Sequence, residues 1–337
     1  MNKLRMQLAL VLIFIGTASS AWADKAPAEE SPLVCWSLPA LVHRYLENHV
    51  SHREMNDKLA ERVVTLFSER FDSSKSLLTA KQFAEVKKRV GGLVSDALEG
   101  RCDQFAWLKK NQILWHREME GFVRTLMAKT KEIDRTIELV VDPDKRAHPE
   151  NDDQRSSLRR KLLHFQLANY VRSGTKLEEA KTKLIHRYEL ITKRIAELTH
   201  ADLYASFLNA FANALDPHST YFSADDLADF RISMDLSLEG IGAVLSSRDG
   251  YTSVAEIVPG GAADRQGELK TKDKIIAVAQ GTDGEAVDVI DMSLRDVVKK
   301  IRGKKGTKVK LTVLRQAEKT ETLFIVISNI SSFFHLQ

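Results

Sequence analysis

The fold of the second half of the chain is decided at residues 237–244, which read Ser237-Leu238-Glu239-Gly240-Ile241-Gly242-Ala243-Val244. Two glycines alternate with apolar residues just before a strand-like run, which lets consecutive backbone N–H groups turn the same way. Such a nest holds an anion, for example the terminal carboxylate of a peptide that adds as a strand. The segment predicts a peptide-binding loop at Gly240, Ile241, Gly242, Ala243 and Val244, although the same residues also fit an ordinary core turn.

A helix further along the chain can form one wall of a groove beside this loop. Leu294, Val297, Val298 and Ile301 recur at helical spacing and give that helix one apolar face. This face can receive an apolar side chain from a peptide strand that lies against the loop. A purely structural core is the alternative, and spacing alone leaves both open.

Upstream of the loop the pattern is helical. From residue 56 to residue 214 there are few Gly or Pro residues, and apolar positions recur at three and four. Breaks fall near residues 72–74, 142–144 and 173–174, where turn-forming residues cluster, so about six helices are predicted. Thr175 and Glu178 have the spacing of a capping box for a helix that runs to about Leu198.

The composition changes after Asp216-Pro217-His218 and becomes rich in Gly, Val and Ile. Short apolar runs with turn signals between them predict five strands, at 240–246, 251–258, 274–279, 309–314 and 322–327. Two helices interrupt them, a short one near residues 262–265 and a longer one at 293–301. Asp225 and Asp226 have the placement of first-turn helix charges after a Ser223 cap.

Bulk composition fits a soluble globular protein of two or three domains, with 337 residues of which 43% are hydrophobic and 28% charged. The 50 basic and 46 acidic residues are interspersed rather than gathered into a basic stripe, so we predict no nucleic-acid partner.

The start of the chain is typical of an export signal. Lys3 and Arg5 precede the apolar run Leu8–Ala18, and Ala21-Trp22-Ala23 offers a cleavage site before Asp24. The run is too short to span a bilayer, which needs about 20 residues. Residues 1–23 are therefore predicted to be a signal peptide, with a periplasmic product and no stable membrane insertion.

Two cysteines and two histidines are the remaining candidates for special chemistry. An oxidising compartment permits Cys35 and Cys102 to pair, but pairing depends on a Cα separation that the sequence does not give. A lipid anchor on Cys35 is the alternative, against which stands the bulky Val34 before it. His49 and His52 lack a third ligand, so we predict a solvated surface pair, no metal site and no cofactor.

Two stretches together resemble one family. Residues 215–222 read Leu-Asp-Pro-His-Ser-Thr-Tyr-Phe and, with residues 237–244, resemble the signature that leads into the PDZ domain of carboxy-terminal processing peptidases, also called tail-specific proteases. Residues 258–263, 272–276 and 301–309 continue the resemblance in order, with Lys272 where a Gly is usual. His218 then reads as a structural turn residue.

The resemblance implies an α+β multidomain fold. An all-helical N-terminal domain at 24–232 would be followed by a PDZ-like β-sandwich or barrel domain with two helices at 233–328 and an irregular tail at 329–337. Ile241, Gly242 and Ala243 would offer N–H groups to a substrate carboxylate, and Val297 and Ile301 would line the pocket.

The same family consists of secreted or periplasmic serine endopeptidases that present C-terminal tails to a Ser/Lys dyad. No catalytic residue can be assigned here, because no protease domain follows residue 328. The leading hypothesis is a truncated relative that binds peptide or protein C-termini without hydrolysing them. The alternatives are part of an active endopeptidase whose catalytic domain is outside this chain, and a non-enzymatic envelope scaffold. The implied partners are the C-terminal tails of unfolded or tagged envelope proteins and, as a second expectation, an adaptor protein.

Overall fold

The computed structural model describes residues 33–134, 136–234, 237–281, 283–303, 306–316, 320–327 and 331–334. The predicted signal peptide at 1–23 and the predicted mature start at Asp24 lie outside these residues.

The first part of the chain is helical, as predicted. Its helices are α1 (Leu38–Asn48), α2 (Asp57–Glu69), α3 (Ala80–Leu98), α4 (Asp103–Lys129), α5 (Asp152–Arg172), α6 (Leu177–Glu197), α7 (His200–Leu215) and α8 (Ala224–Met234). Short 3-10 turns lie at Cys35–Ser37 and Pro143–Lys145. Within the described residues, α2 to α7 confirm the six helices expected between 56 and 214.

Apolar spacing explains how these helices pack. Leu59, Val63 and Phe67 lie one helical turn apart on α2 and are all buried. Phe67 meets Phe207 of α7 edge to face, with 5.6 Å between the ring centroids. The Asn56 side chain accepts the Leu59 N–H and caps α2.

The capping box predicted for α6 is wrong. The helix begins at Leu177 with Lys176 as its N-cap residue, and no side-chain cap bond forms there. The Glu178 carboxylate pairs with Lys181 instead, at 3.0 Å. The helix begins one residue later than a Thr175 cap requires, so Glu178 is its second residue and not its third.

Cys35 and Cys102 form a disulfide, with their Cα atoms 6.1 Å apart. The bond joins the turn before α1 to the residue before α4, and thereby answers the question of pairing that the sequence left open.

The second part of the chain is a β domain with two helices. Its strands are β1 (Ser237–Gly240), β2 (Ala243–Arg248), β3 (Tyr251–Ile257), β4 (Lys274–Gln280), β5 (Val287–Asp288), β6 (Val309–Gln316), β7 (Thr320–Ile327) and β8 (Ser331–Phe334). Helices α9 (Ala262–Gln266) and α10 (Leu294–Ile301) interrupt them. The five predicted strands correspond to β2, β3, β4, β6 and β7, and both predicted helices are confirmed.

These strands form two antiparallel sheets. The larger has the order β2-β3-β4-β6-β7, with β5 added to β4. The smaller pairs β1 with β8, so that Ser237 faces Phe334 and Gly240 faces Ser331. The predicted irregular tail is therefore wrong at residues 331–334, because these residues supply the backbone partners that β1 needs. The rest of that tail lies outside the described residues.

Buried side chains from the sheet and from α10 form the core of the domain, among them Val254, Ile275, Leu311, Val297 and Ile301. Among the described residues, no helix is both long and apolar enough to cross a membrane.

Candidate functional site

The loop between β1 and β2 is the strongest candidate for a ligand site. Gly242 has φ +72°, a left-handed conformation that glycine adopts without strain. The carbonyl of Ile241 accepts the Ala263 N–H at 2.7 Å, and the carbonyl of Gly242 accepts the Val258 N–H at 2.9 Å. Both carbonyls are thus held by the segment that leads into α9.

Unlike their carbonyls, the N–H groups of Ile241 and Gly242 are not engaged in hydrogen bonds within the described residues. Both residues are buried, yet within the described part of the chain neither N–H has a hydrogen-bond acceptor. Nearly all buried backbone donors in folded proteins are paired. Two adjacent donors without a partner therefore form a place where an external acceptor can bind.

Close packing holds this loop in its conformation. A Cβ atom on Gly261 would lie 3.1 Å from the Cα atom of Gly242 and 2.8 Å from the Val258 carbonyl oxygen. Gly261 therefore permits the turn before α9 to approach the loop, which keeps the two N–H donors oriented together.

Strand β2 presents a free edge next to this loop. In the larger sheet β2 is an end strand, and among the described residues it pairs only with β3. An end strand offers unpaired N–H and C=O groups to another chain. Along β2, Val244 is 48% exposed, whereas Ala243 and Leu245 are half-buried against the core.

Helix α10 lies beside β2, and its predicted pocket residues divide into two pairs. Val297 and Ile301 are 0% and 3% exposed and belong to the core of the domain. Leu294 and Val298 are half-buried, one helical turn apart. The pocket role of all four residues stays a prediction, and the half-buried pair has the better access to a ligand.

Helix α8 holds α10 from outside the sheet. Asp226 pairs with Arg295 at 2.6 Å and Asp225 with Lys299 at 2.7 Å. Burial raises the pKa of the Asp226 carboxyl, but bonds from the Ser223 hydroxyl and Arg295 outweigh it and leave the pKa below its ordinary value. The predicted Ser223 cap is confirmed, since its hydroxyl accepts the Asp226 N–H. No pattern in the sequence indicates the two ion pairs, because they join residues about 70 positions apart.

The other candidates occupy structural positions. His49 is not the solvated histidine that was predicted: its Nε2 lies 2.9 Å from Asp216 Oδ2, and its side chain is only 12% exposed. Asp216 also accepts the N–H groups of His218 and Ser219, which confirms the turn role of His218.

Comparison with known proteins gives two family models that match the chain. One, described as the tail specific protease N-terminal domain, matches residues 41–225. The other, the PDZ domain, matches residues 229–314. The helical part and the β domain are therefore each matched by a separate model.

Individual proteins are also similar. The tail-specific protease of Haemophilus influenzae is 31% identical over 272 residues, which are 80% of this chain and 39% of that protein. Carboxy-terminal processing protease CtpA of Bacillus subtilis is 35% identical over 135 residues, 40% of this chain and 28% of that protein. The chain thus spans well under half of the length of either relative.

A solved structure of the PDZ domain of a carboxy-terminal protease from Vibrio cholerae, in complex with peptide, is 41% identical. The match covers 29% of this chain and 97% of the Vibrio cholerae chain, with a TM-score of 0.27.

Proposed function

The chain belongs to the tail-specific protease family, and from that premise we propose that its PDZ domain binds the free C-terminus of a peptide or protein as a strand added to β2. The terminal carboxylate would accept the N–H groups of Ile241 and Gly242. The observation that carries the proposal is that these two adjacent donors belong to buried residues and find no acceptor in the part of the chain that the structure describes.

The neighbouring elements suit such a ligand. An added strand gains main-chain hydrogen bonds along the free edge of β2, and these bonds do not depend on the side chains of the peptide. The side chain of its last residue would lie between β2 and α10, against Leu294 and Val298. Because that surface is apolar, we expect an apolar C-terminal residue to bind best.

The tails of unfolded or tagged envelope proteins are the partners that we propose, and an adaptor protein that delivers them is a further possible partner. This proposal includes export of the chain to the periplasm by residues 1–23. The disulfide between Cys35 and Cys102 supports it, because disulfides persist in oxidising compartments.

The first test measures binding of two peptides to the full chain. They share one sequence with an apolar last residue, and one ends in a free carboxylate whereas the other ends in an amide. A charge-assisted hydrogen bond contributes about 1.5–3 kcal/mol, so amidation should weaken binding roughly tenfold or more. Equal dissociation constants for the two peptides would refute the carboxylate site.

A variant pair tests the groove. Val298→Asp places a charge where the apolar side chain of the peptide would lie. It should weaken binding of the free-acid peptide about tenfold, within the range of about 1–3 kcal/mol for an unpaired polar group. Val287→Asp makes the same change at an exposed valine of β5 and should leave the affinity unchanged.

Export is tested separately. Cell fractionation should recover the chain from the periplasm with Asp24 as its first residue, and Cys35 and Cys102 should resist alkylation until a reductant is added. Recovery in the cytoplasm with Met1 intact would contradict the export proposal.

A further inference from the structure

The two walls of the proposed groove meet at the end that lies away from the loop of Ile241 and Gly242. Strand β2 ends in the turn Asp249-Gly250, and Asp291 lies three residues before α10. The Asp291 N–H donates to the Gly250 carbonyl at 2.8 Å. This backbone hydrogen bond joins the end of β2 to the segment that leads into α10.

The helical domain contacts both walls at this point. Tyr170 of α5 donates its hydroxyl to Asp249 Oδ1 at 2.8 Å. His186 of α6 places Nε2 2.9 Å from Asp291 Oδ1, and because a carboxylate only accepts, Nε2 is the donor. Each wall of the groove thus receives one hydrogen bond from a different helix of the N-terminal domain.

The backbone at these contacts is unusual. Asp249 has φ +50° and Asp291 has φ +63°, a region that non-glycine residues occupy at a cost. Gly250 between them has φ +81°, and a Cβ atom there would overlap the Asp291 carboxylate and lie 3.0 Å from His186 Nε2. Such conformations persist only where the surroundings impose them, and the two helix-borne donors are part of those surroundings.

We propose that Tyr170 and His186 are positioning residues of the peptide-binding groove. By holding Asp249 and Asp291 they fix the end of β2 relative to the start of α10, so the helical domain determines the width of a groove that the PDZ domain provides. The inference rests on the proposed function, since it concerns the same groove. Its consequence is that peptide affinity depends on residues that no peptide touches.

Two single variants and their combination test this in the full chain, with the free-acid peptide as ligand. Tyr170→Phe removes only the hydroxyl, and His186→Gln removes the ring. Because a groove that is correctly spaced only part of the time binds in proportion to that fraction, each should weaken binding about threefold and the double variant about tenfold. Wild-type affinity in the double variant would overturn the inference.

Matched controls make the same changes elsewhere in the helical domain. Tyr188→Phe removes a hydroxyl that bonds to Gln166 of α5, and His43→Gln removes a ring that pairs with Glu47 within α1. Both controls should bind peptide like the wild type. A loss in the controls as large as in the test variants would also overturn the inference, since the effect would then be general.

Two changes at Asp249 separate the hydrogen bond from the backbone conformation. Asp249→Asn keeps an oxygen that accepts from Tyr170 and tolerates the left-handed region, so it should keep wild-type affinity. Asp249→Gly relieves the backbone but removes the acceptor, so it should bind about threefold more weakly, like Tyr170→Phe. If Asp249→Gly retains peptide affinity and Asp249→Asn loses it, the hydrogen bond from Tyr170 to Asp249 has no positioning role.

Hydrogen exchange of the free protein distinguishes failure of this inference from failure of the proposed function. The double variant should exchange faster than wild type at residues 245–257 and 289–298, whether or not any peptide binds. If the wild type binds no peptide but this exchange rises, the proposed function fails and the positioning role stands. Unchanged exchange in these two segments would overturn the positioning role by itself.

Discussion

Asp72 stabilises its loop through its charge. Its carboxylate accepts the N–H groups of Ser76, Leu77 and Leu78, at 2.9, 3.1 and 2.8 Å. Burial raises the pKa of Asp72, but His148, whose Nε2 lies 3.5 Å from Oδ2, and the hydrogen bonds from these N–H groups outweigh it and hold the pKa below its ordinary value. The folded state therefore favours the ionised carboxyl more than the unfolded state does.

The sign of the resulting pH dependence follows from this lowered pKa. The contribution of Asp72 to stability is complete above the unfolded pKa, near 4, and is lost as the pH falls through the folded pKa. Asp72→Asn should lower the free energy of unfolding by roughly 2 kcal/mol at pH 7 and flatten its decline below about pH 4. Urea titrations across pH measure both effects. Asp153→Asn, at an exposed position of α5, should change neither, and a decline as steep as that of wild type in Asp72→Asn would contradict the prediction.

Gly242 is constrained by its backbone angle, φ +72°. Alanine at φ +72° should cost about 1 kcal/mol of stability. Gly91 in α3 offers a control of opposite sign, because an added Cβ atom there meets nothing within 4 Å and alanine favours a helix by about 0.5–1 kcal/mol. In denaturant melts, the free energy of unfolding of Gly242→Ala should be lower than that of wild type, and that of Gly91→Ala should be higher. If both variants change the free energy of unfolding in the same direction, the φ angle of Gly242 does not determine the cost of alanine there.

At the level of elements, α5 is anchored by a buried guanidinium. Arg159 is 2% exposed, and it donates to the carbonyls of Ser76 and Leu77 at 2.8 and 2.9 Å and to Glu118 at 2.9 Å. Burial lowers the pKa of Arg159, partly offset by Glu118. Arg159 thus donates to carbonyls of residues 76–77. Asp72 accepts the N–H groups of residues 76–78 of the same loop.

Arg159→Met keeps much of the side-chain volume but leaves the buried Ser76 carbonyl without its donor. Leu77 and Glu118 keep Arg155 as a partner, at 3.1 and 3.0 Å. We expect a loss of about 1–3 kcal/mol in the free energy of unfolding, the cost of a buried acceptor left unsatisfied. Arg160→Met makes the same change at an exposed position of the same helix and should stay within about 0.5 kcal/mol of wild type. Equal free energies of unfolding for the two variants would show that the buried hydrogen bonds of Arg159 contribute little to stability.

Sequence patterns within one segment predicted the helices and strands whose signal lies in that segment. The run of Leu294, Val297, Val298 and Ile301 predicted α10 because helical spacing is a property of the segment itself. β8 was missed because its partner β1 lies at the other end of the domain, and no pattern at residues 331–334 identifies that partner. The capping box failed because α6 begins at Leu177, one residue later than a Thr175 cap requires.

Across the whole molecule, the site was predictable only in part for the same reason. The loop at Gly240–Val244 has a sequence signature, whereas the contacts of Tyr170 with Asp249 and of His186 with Asp291 join residues far apart in the chain. Only the folded arrangement brings such pairs together. The disulfide belongs to this class too, since pairing of Cys35 with Cys102 depends on how the three helices between them, α1 to α3, are arranged.

Removing the disulfide should destabilise the helical domain. The bond closes a loop of 67 residues, and the chain-entropy model assigns about 4 kcal/mol to a loop of that length, with measured losses of roughly 2–5 kcal/mol. Denaturant melts of the Cys35→Ala/Cys102→Ala variant should show this loss, and dithiothreitol should reproduce it in the wild type. A variant that melts like the oxidised wild type would contradict the prediction.

The pairing of β1 with β8 has a consequence for the order in which the domain is made. Ser237 leaves the ribosome long before its partner Phe334, so the strand that leads into the Ile241–Gly242 loop waits, unpaired, while the rest of the domain is translated. Closing this contact requires a chain loop nearly as long as the domain, which makes it a slow step of high contact order. The peptide-binding loop should therefore be among the last parts of the newly made protein to mature.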